Sequence, residues 1–441
     1  MKTVISGIAI LVAAFCIWKS FNRDLNLLKI STADLRNRVV GARLQKDGRD
    51  PYFYEWKKED GLRYYDPNNF DSLYVSNITA SPFFHELLYP IADFSQRTIK
   101  VFWLQLQYVF LFIMTLLSIY LARNLLNRLM IIALSVAFLF TETWKSMTVT
   151  GQLYMFMPFL FFLFFYFFRK FKQLPYAFVC GVICITLILI RPNFIFAFLP
   201  FLIIAGMFSV RTKLIFLLPV AGFLLYNVGN SSERHLWQSY FKSVKEHVKF
   251  HSGQKMVFKE EAKSPEYNEW EGLNMKAMDD AVEQYSYVGY SENGNFFVLI
   301  DNIFYIRLSP AFLFGSSFFL IITAFVIFAW YTKNWGTVPI INISIFGYCL
   351  YMISDLFSPV YRHQYYTVQW LMPLLVSGMI FSSKKWLSYT LIFAGLVLNI
   401  INVPAIRMEH TMGEYIWLAA FLLLSFTFSE SDMGNKKLRV A

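Results

Sequence analysis

The chain has 441 residues, is 56% hydrophobic and only 16% charged, contains 48 Phe, and carries a formal net charge of +11. Soluble chains are about 45–50% apolar and about 25% charged, so this composition excludes an ordinary soluble domain. The positive excess does not argue for nucleic acid, because much of it sits in short Lys/Arg clusters between apolar segments, where such clusters orient helices and meet anionic membrane lipid.

A spanning helix needs about 20 mainly apolar residues, and such stretches recur from end to end. The pattern predicts an all-α polytopic membrane protein with about 12 (10–13) transmembrane helices and two long loops. The segments fall at 3–21, 100–122, 129–142, 152–168, 175–190, 193–209, 213–228, 309–331, 336–354, 365–382, 386–403 and 413–428. The organisation is then a first helix (1–21), a polar stretch (22–98), a bundle (99–228), a second polar stretch (229–305), a second bundle (306–430) and a tail (431–441).

The first segment, "MKTVISGIAILVAAFCIW", has the look of a signal peptide with a small residue at Ala14. A retained helix fits better, because Phe15 before Cys16 spoils a lipoprotein site and the apolar run continues to Trp18. All four cysteines lie in apolar segments, so no disulfide framework is implied. With Lys2 cytoplasmic, the basic connections 122–128, 169–172, 211–213, 331–335 and 384–385 and the tail at 436–439 fall on one side. That is the positive-inside pattern, with both termini cytoplasmic. The other side receives both long polar stretches and the short connections rich in His, Pro and Gly, where chemistry tends to concentrate.

"TADLRNRVVGARLQKDGRDPYFY" (32–54) predicts a helix capped at Ser31 or Thr32, ending near Lys46 at Gly48, and lying on the membrane surface. Asp34 sits one turn before Arg38. Spacing alone favours an acid pairing with the helix dipole and Arg38; the sharper reading makes Asp34 a catalytic base. "NITASPFFHELLYPIADF" (77–94) places His85 and Glu86 between Pro82 and Pro90, in an interfacial or re-entrant helix. There His85 is either a satisfied interfacial residue or a substrate ligand.

In "TETWKSMTVTGQLYMF" (141–156), Glu142, Lys145 and Gln152 lie at helix ends, and the Gln152 amide needs a polar partner. In "ILIRPNF" (188–194), Arg191 between two apolar runs either faces water, a counter-charge or an anion, or snorkels. "SDLFSPVYRHQYYTVQW" (354–370) is the densest polar cluster at any short connection, with Asp355, Arg362 and His363 around Pro359. The second long stretch carries Glu260, Glu261, Asp279, Asp280, His235, His247 and His251 without convincing metal-ligand spacing, and reads as a solvated amphipathic cap. There is no P-loop, Gly-rich dinucleotide motif or nucleophile elbow. Nothing calls for a metal or other cofactor.

Four of these motifs, in order, resemble glycosyltransferase family 87, the polyprenol-phosphate-mannose-dependent mannosyltransferases and their membrane relatives. They are the Asp34 helix with its Gly-x-Asp-Pro-Tyr end, "SPFFHELLYPIADF", the Gly-Gln of "GQLYMF", and "SPVYRHQYY". The chain departs at Leu35, Val39 and Val40, where the family often has aromatics, and at Ala80-Ser81-Pro82, where it has Tyr-Pro-Pro.

The resemblance implies a GT-C fold in a bacterial plasma membrane and an inverting transfer from a polyprenyl-phosphate sugar to an extracytoplasmic glycan or glycolipid. It maps the catalytic acid to Asp34 and a late histidine to His363. Charge logic adds Arg191, Arg362 and Lys145 as donor-phosphate ligands, with Gln152 and His85 as substrate contacts. Two rivals remain. One is an O-antigen or exopolysaccharide polymerase or ligase that works through loop arginines. The other is a lipid or glycan transporter, which would need several ionisable residues in mid-span.

Overall fold

The computed structural model describes residues 2–28, 33–65, 76, 78–251, 296, 300, 304, 306, 308–332, 335, 338–358, 362–401 and 409–427. Among them every regular element is helical. Helix α1 (Lys2–Leu27) runs six residues beyond the expected first span, and its outward side exposes Leu11, Phe15 and Trp18. Helix α2 (Ala33–Lys46) ends at Gly48, whose φ of 73° is the left-handed conformation that favours glycine. Helix α3 (Pro82–Leu88) starts at Ser81, whose side chain accepts from the Phe84 amide, with Pro82 at the first helical position.

The long helix α4 (Gln96–Leu121) is capped by Ser95. Helices α5 (Leu125–Phe138) and α6 (Glu142–Thr150) meet at a 56° bend. The expected segment 129–142 is α5, begun four residues earlier at the Asn124 cap, and the expected connection after it forms α6 from the Thr141 cap. Then follow α7 (Phe156–Phe168), α8 (Leu174–Ile190), α9 (Ile195–Gly206), α10 (Val210–Gly229) and α11 (Ser231–His251). The second half contains α12 (Pro310–Thr332), α13 (Ile340–Leu356), α14 (Leu371–Met379), α15 (Trp386–Ile400) and α16 (Glu409–Phe426).

Among the described residues three helices, α4, α10 and α12, are long and apolar enough to cross a membrane, and the bent α5–α6 pair makes a fourth if taken as one span. Several other expected segments are apolar but shorter as helices. The segment 365–382 opens as a 3₁₀ turn (Gln364–Trp370) before α14, and 193–209 opens as a 3₁₀ turn before α9. At 1.5 Å per residue α7 is about 20 Å long, against an apolar bilayer core of about 30 Å.

These short helices form the interior. Helix α13 is buried along its whole length between α9, α12 and α16. A side-chain carbon at Gly347 would run into the Ala197 carbonyl of α9, so the two backbones need a glycine there. Phe161, Phe164 and Phe168 of α7 pack on Phe198 and Phe201 of α9, with ring centroids 4.8–5.8 Å apart. Much of the phenylalanine content is thus core. By contrast Leu225 of α10 and Trp330 of α12 are more than 70% exposed, which suits a lipid surround.

One local expectation is overturned. Helix α2 forms where its pattern places it, but it does not lie on a surface, since residues 35–42 and 44 are all buried and only Arg43 among 35–44 is partly exposed. Helices α3 and α6 and the turn Leu62–Tyr64 cover it. Helix α11 joins from above: Val40, Leu44 and Tyr52 share a small core with Tyr240 of α11. The first and second polar stretches therefore cap one another. Glu260, Glu261, Asp279, Asp280, Pro359 and the basic tail lie outside the described residues.

Candidate functional site

Asp34 and Arg38 stand one turn apart on α2, and Gln152 lies between them. Its Nε2 donates to Asp34 Oδ2, and its Oε1 accepts from Arg38 Nη2. Local structure dictates this placement. Helix α6 ends at Gly151 with φ 70°, and any side-chain carbon there would come 2.5 Å from Leu35 Cβ. Only glycine lets the end of α6 press on the start of α2. The Gln152 backbone is then fixed by its own N–H to the Met147 carbonyl (3.1 Å) and by Trp103 Nε1 donating to its carbonyl (3.2 Å). Arg38 is 6% exposed, and its Nε and Nη1 find no partner among the described residues.

A second charge cluster ties α8, α13, α16 and the 362–370 segment together. Arg191, the residue after α8, is held extended by Pro192 and reaches Asp355 near the end of α13. Asp355 also accepts from Arg362 and from Gln369 Nε2 (3.3 Å). Arg362 then forks onto Glu414 of α16, Nε to Oε2 at 3.1 Å and Nη2 to Oε1 at 2.5 Å. Trp370 Nε1 also donates to Glu414 (3.1 Å). Two guanidinium groups meet two carboxylates, so the formal charge balances. Buried ion pairs persist only when geometry and extra hydrogen bonds offset desolvation; here the extra bonds are present.

A cavity of about 580 Å³ opens beside these clusters. Arg38, Arg191 and Asp355 supply its charge; Tyr154, Tyr240, Tyr366 and His247 supply rings and polar edges; Leu153, Met157, Phe196, Phe241, Phe314 and Phe318 supply apolar wall. Arg191 sits over the Tyr366 and Tyr154 rings at 4.9 and 5.2 Å. His247 Nε2 lies 3.0 Å from the Ser76 carbonyl, and burial lowers its pKa. Phe314 and Phe318 of α12 and Phe241 of α11 are each more than half exposed. The cavity therefore opens sideways, between helices, toward the apolar surface.

The candidate residues sort by place. Arg191 lines the cavity together with Arg38, while Asp34 and Gln152 stand behind that wall, joined to it through the Gln152 contact with Arg38. Arg362 stands behind Asp355, its charge met by two carboxylates. His363 extends a ring stack, 4.8 Å from Tyr365, which lies 5.3 Å from Tyr366. Lys145 pairs with Glu142 one turn away on α6, apart from the cavity wall. His85 is fully buried against Gly41, with Nδ1 3.2 Å from Gln45 Oε1. Burial and then the Arg38 charge push its pKa down to about 3, so the imidazole is neutral at ordinary pH.

Sequence reasoning missed Arg38 as an open donor, because its spacing from Asp34 reads as a local pair. It also missed Glu414, whose partner is 52 residues away. Glu86 and Glu233 face each other across α3 and α11, and burial with the Glu233 charge raises the Glu86 pKa to about 7. No group of three or more His, Cys, Asp or Glu side chains able to hold a metal ion occurs among the described residues. Compared with protein-family models, with curated proteins and with solved structures, the chain matches none.

Proposed function

We propose that this chain is an inverting membrane glycosyltransferase of the GT-C type, with about 12 spans, taking a hexose such as mannose from a polyprenyl-phosphate donor. One observation carries this reading. A laterally open, aromatic cavity presents a buried guanidinium, Arg38, with two nitrogens (Nε and Nη1) unpartnered, and a carboxylate, Asp34, lies one amide away from it. The apolar wall suits a polyprenyl chain. Arg38 suits the phosphate at the point where negative charge develops.

In the step, Asp34 takes the proton of an acceptor hydroxyl as its oxygen bonds to the anomeric carbon from the face opposite the phosphate. The anomeric C–O bond to phosphate breaks, and its electron pair leaves with the polyprenyl phosphate. The acceptor is a glycan or glycolipid. The test is incubation of the purified protein with a panel of polyprenyl-phosphate sugars: labelled product with wild type and none with Asp34→Asn is expected. Full transfer by a folded Asp34→Asn protein sinks the assignment of the base.

The cluster of buried Asp355, Arg362 and Glu414 with half-buried Arg191 favours a second reading, a transporter of lipid-linked glycans, since ionisable groups inside a bundle mark such pathways. Flux in proteoliposomes without sugar transfer would select it.

A further inference from the structure

Asp34 and Arg38 have the spacing of a helical ion pair, and a direct pair would occupy both. Gln152 stands between them instead. Its amide is the side-chain group that donates from one atom and accepts at another without charge of its own. Donating to Asp34 satisfies part of the carboxylate. Accepting from Arg38 uses one N–H and leaves Nε and Nη1 open. Gln152 is 1% exposed, and Met147 and Trp103 hold its backbone, which fixes the point from which its amide reaches Asp34 and Arg38.

We infer that Gln152 is a positioning residue that keeps the Asp34 carboxylate and the Arg38 guanidinium from neutralising each other, so that Arg38 stays open to a phosphate group in the cavity. This rests on the lipid-phosphate reading of the cavity but not on sugar transfer. The ligand class is a phosphate ester on a long apolar chain.

The role predicts an unusual behaviour for Gln152→Glu. With its proton on, the new carboxyl donates to Asp34 and accepts from Arg38, as the amide does. Once ionised it repels Asp34 and pairs with Arg38, closing the anion site. Binding of a polyprenyl monophosphate to full-length protein in detergent is measured across pH, for wild type and variant, each on one reversible sample. The affinity ratio of variant to wild type is expected to stay within about threefold at acid pH. It should fall to about tenfold or weaker as pH rises through the carboxylate range. Gln152→Leu is expected to be weak at every pH. Because each protein is titrated across pH on a single sample, a lower folded yield does not imitate the pH dependence.

A ratio for Gln152→Glu that is flat with pH overturns the positioning role and leaves the phosphate reading standing. A titrating ratio in a protein that transfers no sugar upholds the role and removes the transferase reading. No binding by wild type removes both. Inorganic phosphate, run alongside, separates headgroup from free ion: tighter binding of the lipid is expected, and equal binding overturns the lipid assignment.

Discussion

The two charge clusters differ in what they leave open. In the Arg191, Asp355, Arg362 and Glu414 cluster, two cations meet two carboxylates, and Gln369 and Trp370 add hydrogen bonds. In the Asp34, Gln152 and Arg38 cluster, a neutral amide separates the opposite charges, and two nitrogens of Arg38 remain without partners among the described residues. An unpartnered buried donor costs stability, and fold requirements alone do not call for one. The contrast teaches that charge density by itself does not mark a binding site. The directly paired cluster holds helices together; the one whose charges an amide separates has donors to offer a ligand.

The strongest way to break this comparison is at Glu414. Glu414→Ala leaves Arg362 buried with one carboxylate fewer and should destabilise by about 3–5 kcal/mol, read as a lower melting temperature in detergent. If the loss is small, the quartet is not structural. Next, Asp34→Asn keeps an acceptor for Gln152 but removes the base. Transfer should fall by about 10²–10⁴-fold with lipid-phosphate binding and melting temperature little changed, as shown by turnover assays beside binding isotherms.

Arg38→Ala should weaken polyprenyl-phosphate binding by about ten- to a hundredfold while lowering the melting temperature much less than Glu414→Ala. Equal melting losses in the two variants would dissolve the distinction between the clusters.

The smallest effect concerns Glu86, a carboxylate that faces another carboxylate, Glu233. Its folded pKa of about 7 lies above the ordinary 4.5. Its contribution to stability is therefore fully present below about 4.5 and is lost as pH rises through about 7. Wild-type melting temperature should fall modestly across that window. Glu86→Gln should flatten this part of the profile, which differential scanning fluorimetry at stepped pH would detect.

Local signals carried part of the way. The span of α2 was legible because the Asp34 and Lys46 ends and Gly48 are local chemistry. So were α3, from Ser81 and Pro82, and the need of the Gln152 amide for polar partners. The surface placement expected for α2 failed because its arginines and its apolar residues are both covered, and those covers come from residues 62–64, α3, α6 and α11. Recurring apolar stretches suggested about 12 spans, but capping residues, prolines and 3₁₀ turns divide or shorten several of them as helices.

By itself the sequence determined an all-helical chain with helices apolar enough to enter a membrane, because composition and 20-residue apolar runs act locally and need no partner. It also determined that Asp34, Gln152 and Arg191 were polar groups in want of partners. Only the tertiary structure decided who those partners are. Gln152 lies 118 residues from Asp34, Arg191 lies 164 from Asp355, and Arg362 lies 52 from Glu414. Ion pairing acts at a few ångströms in space and leaves no periodic trace along the chain, so packing alone set which arginines are neutralised and left Arg38 with donors open beside the cavity.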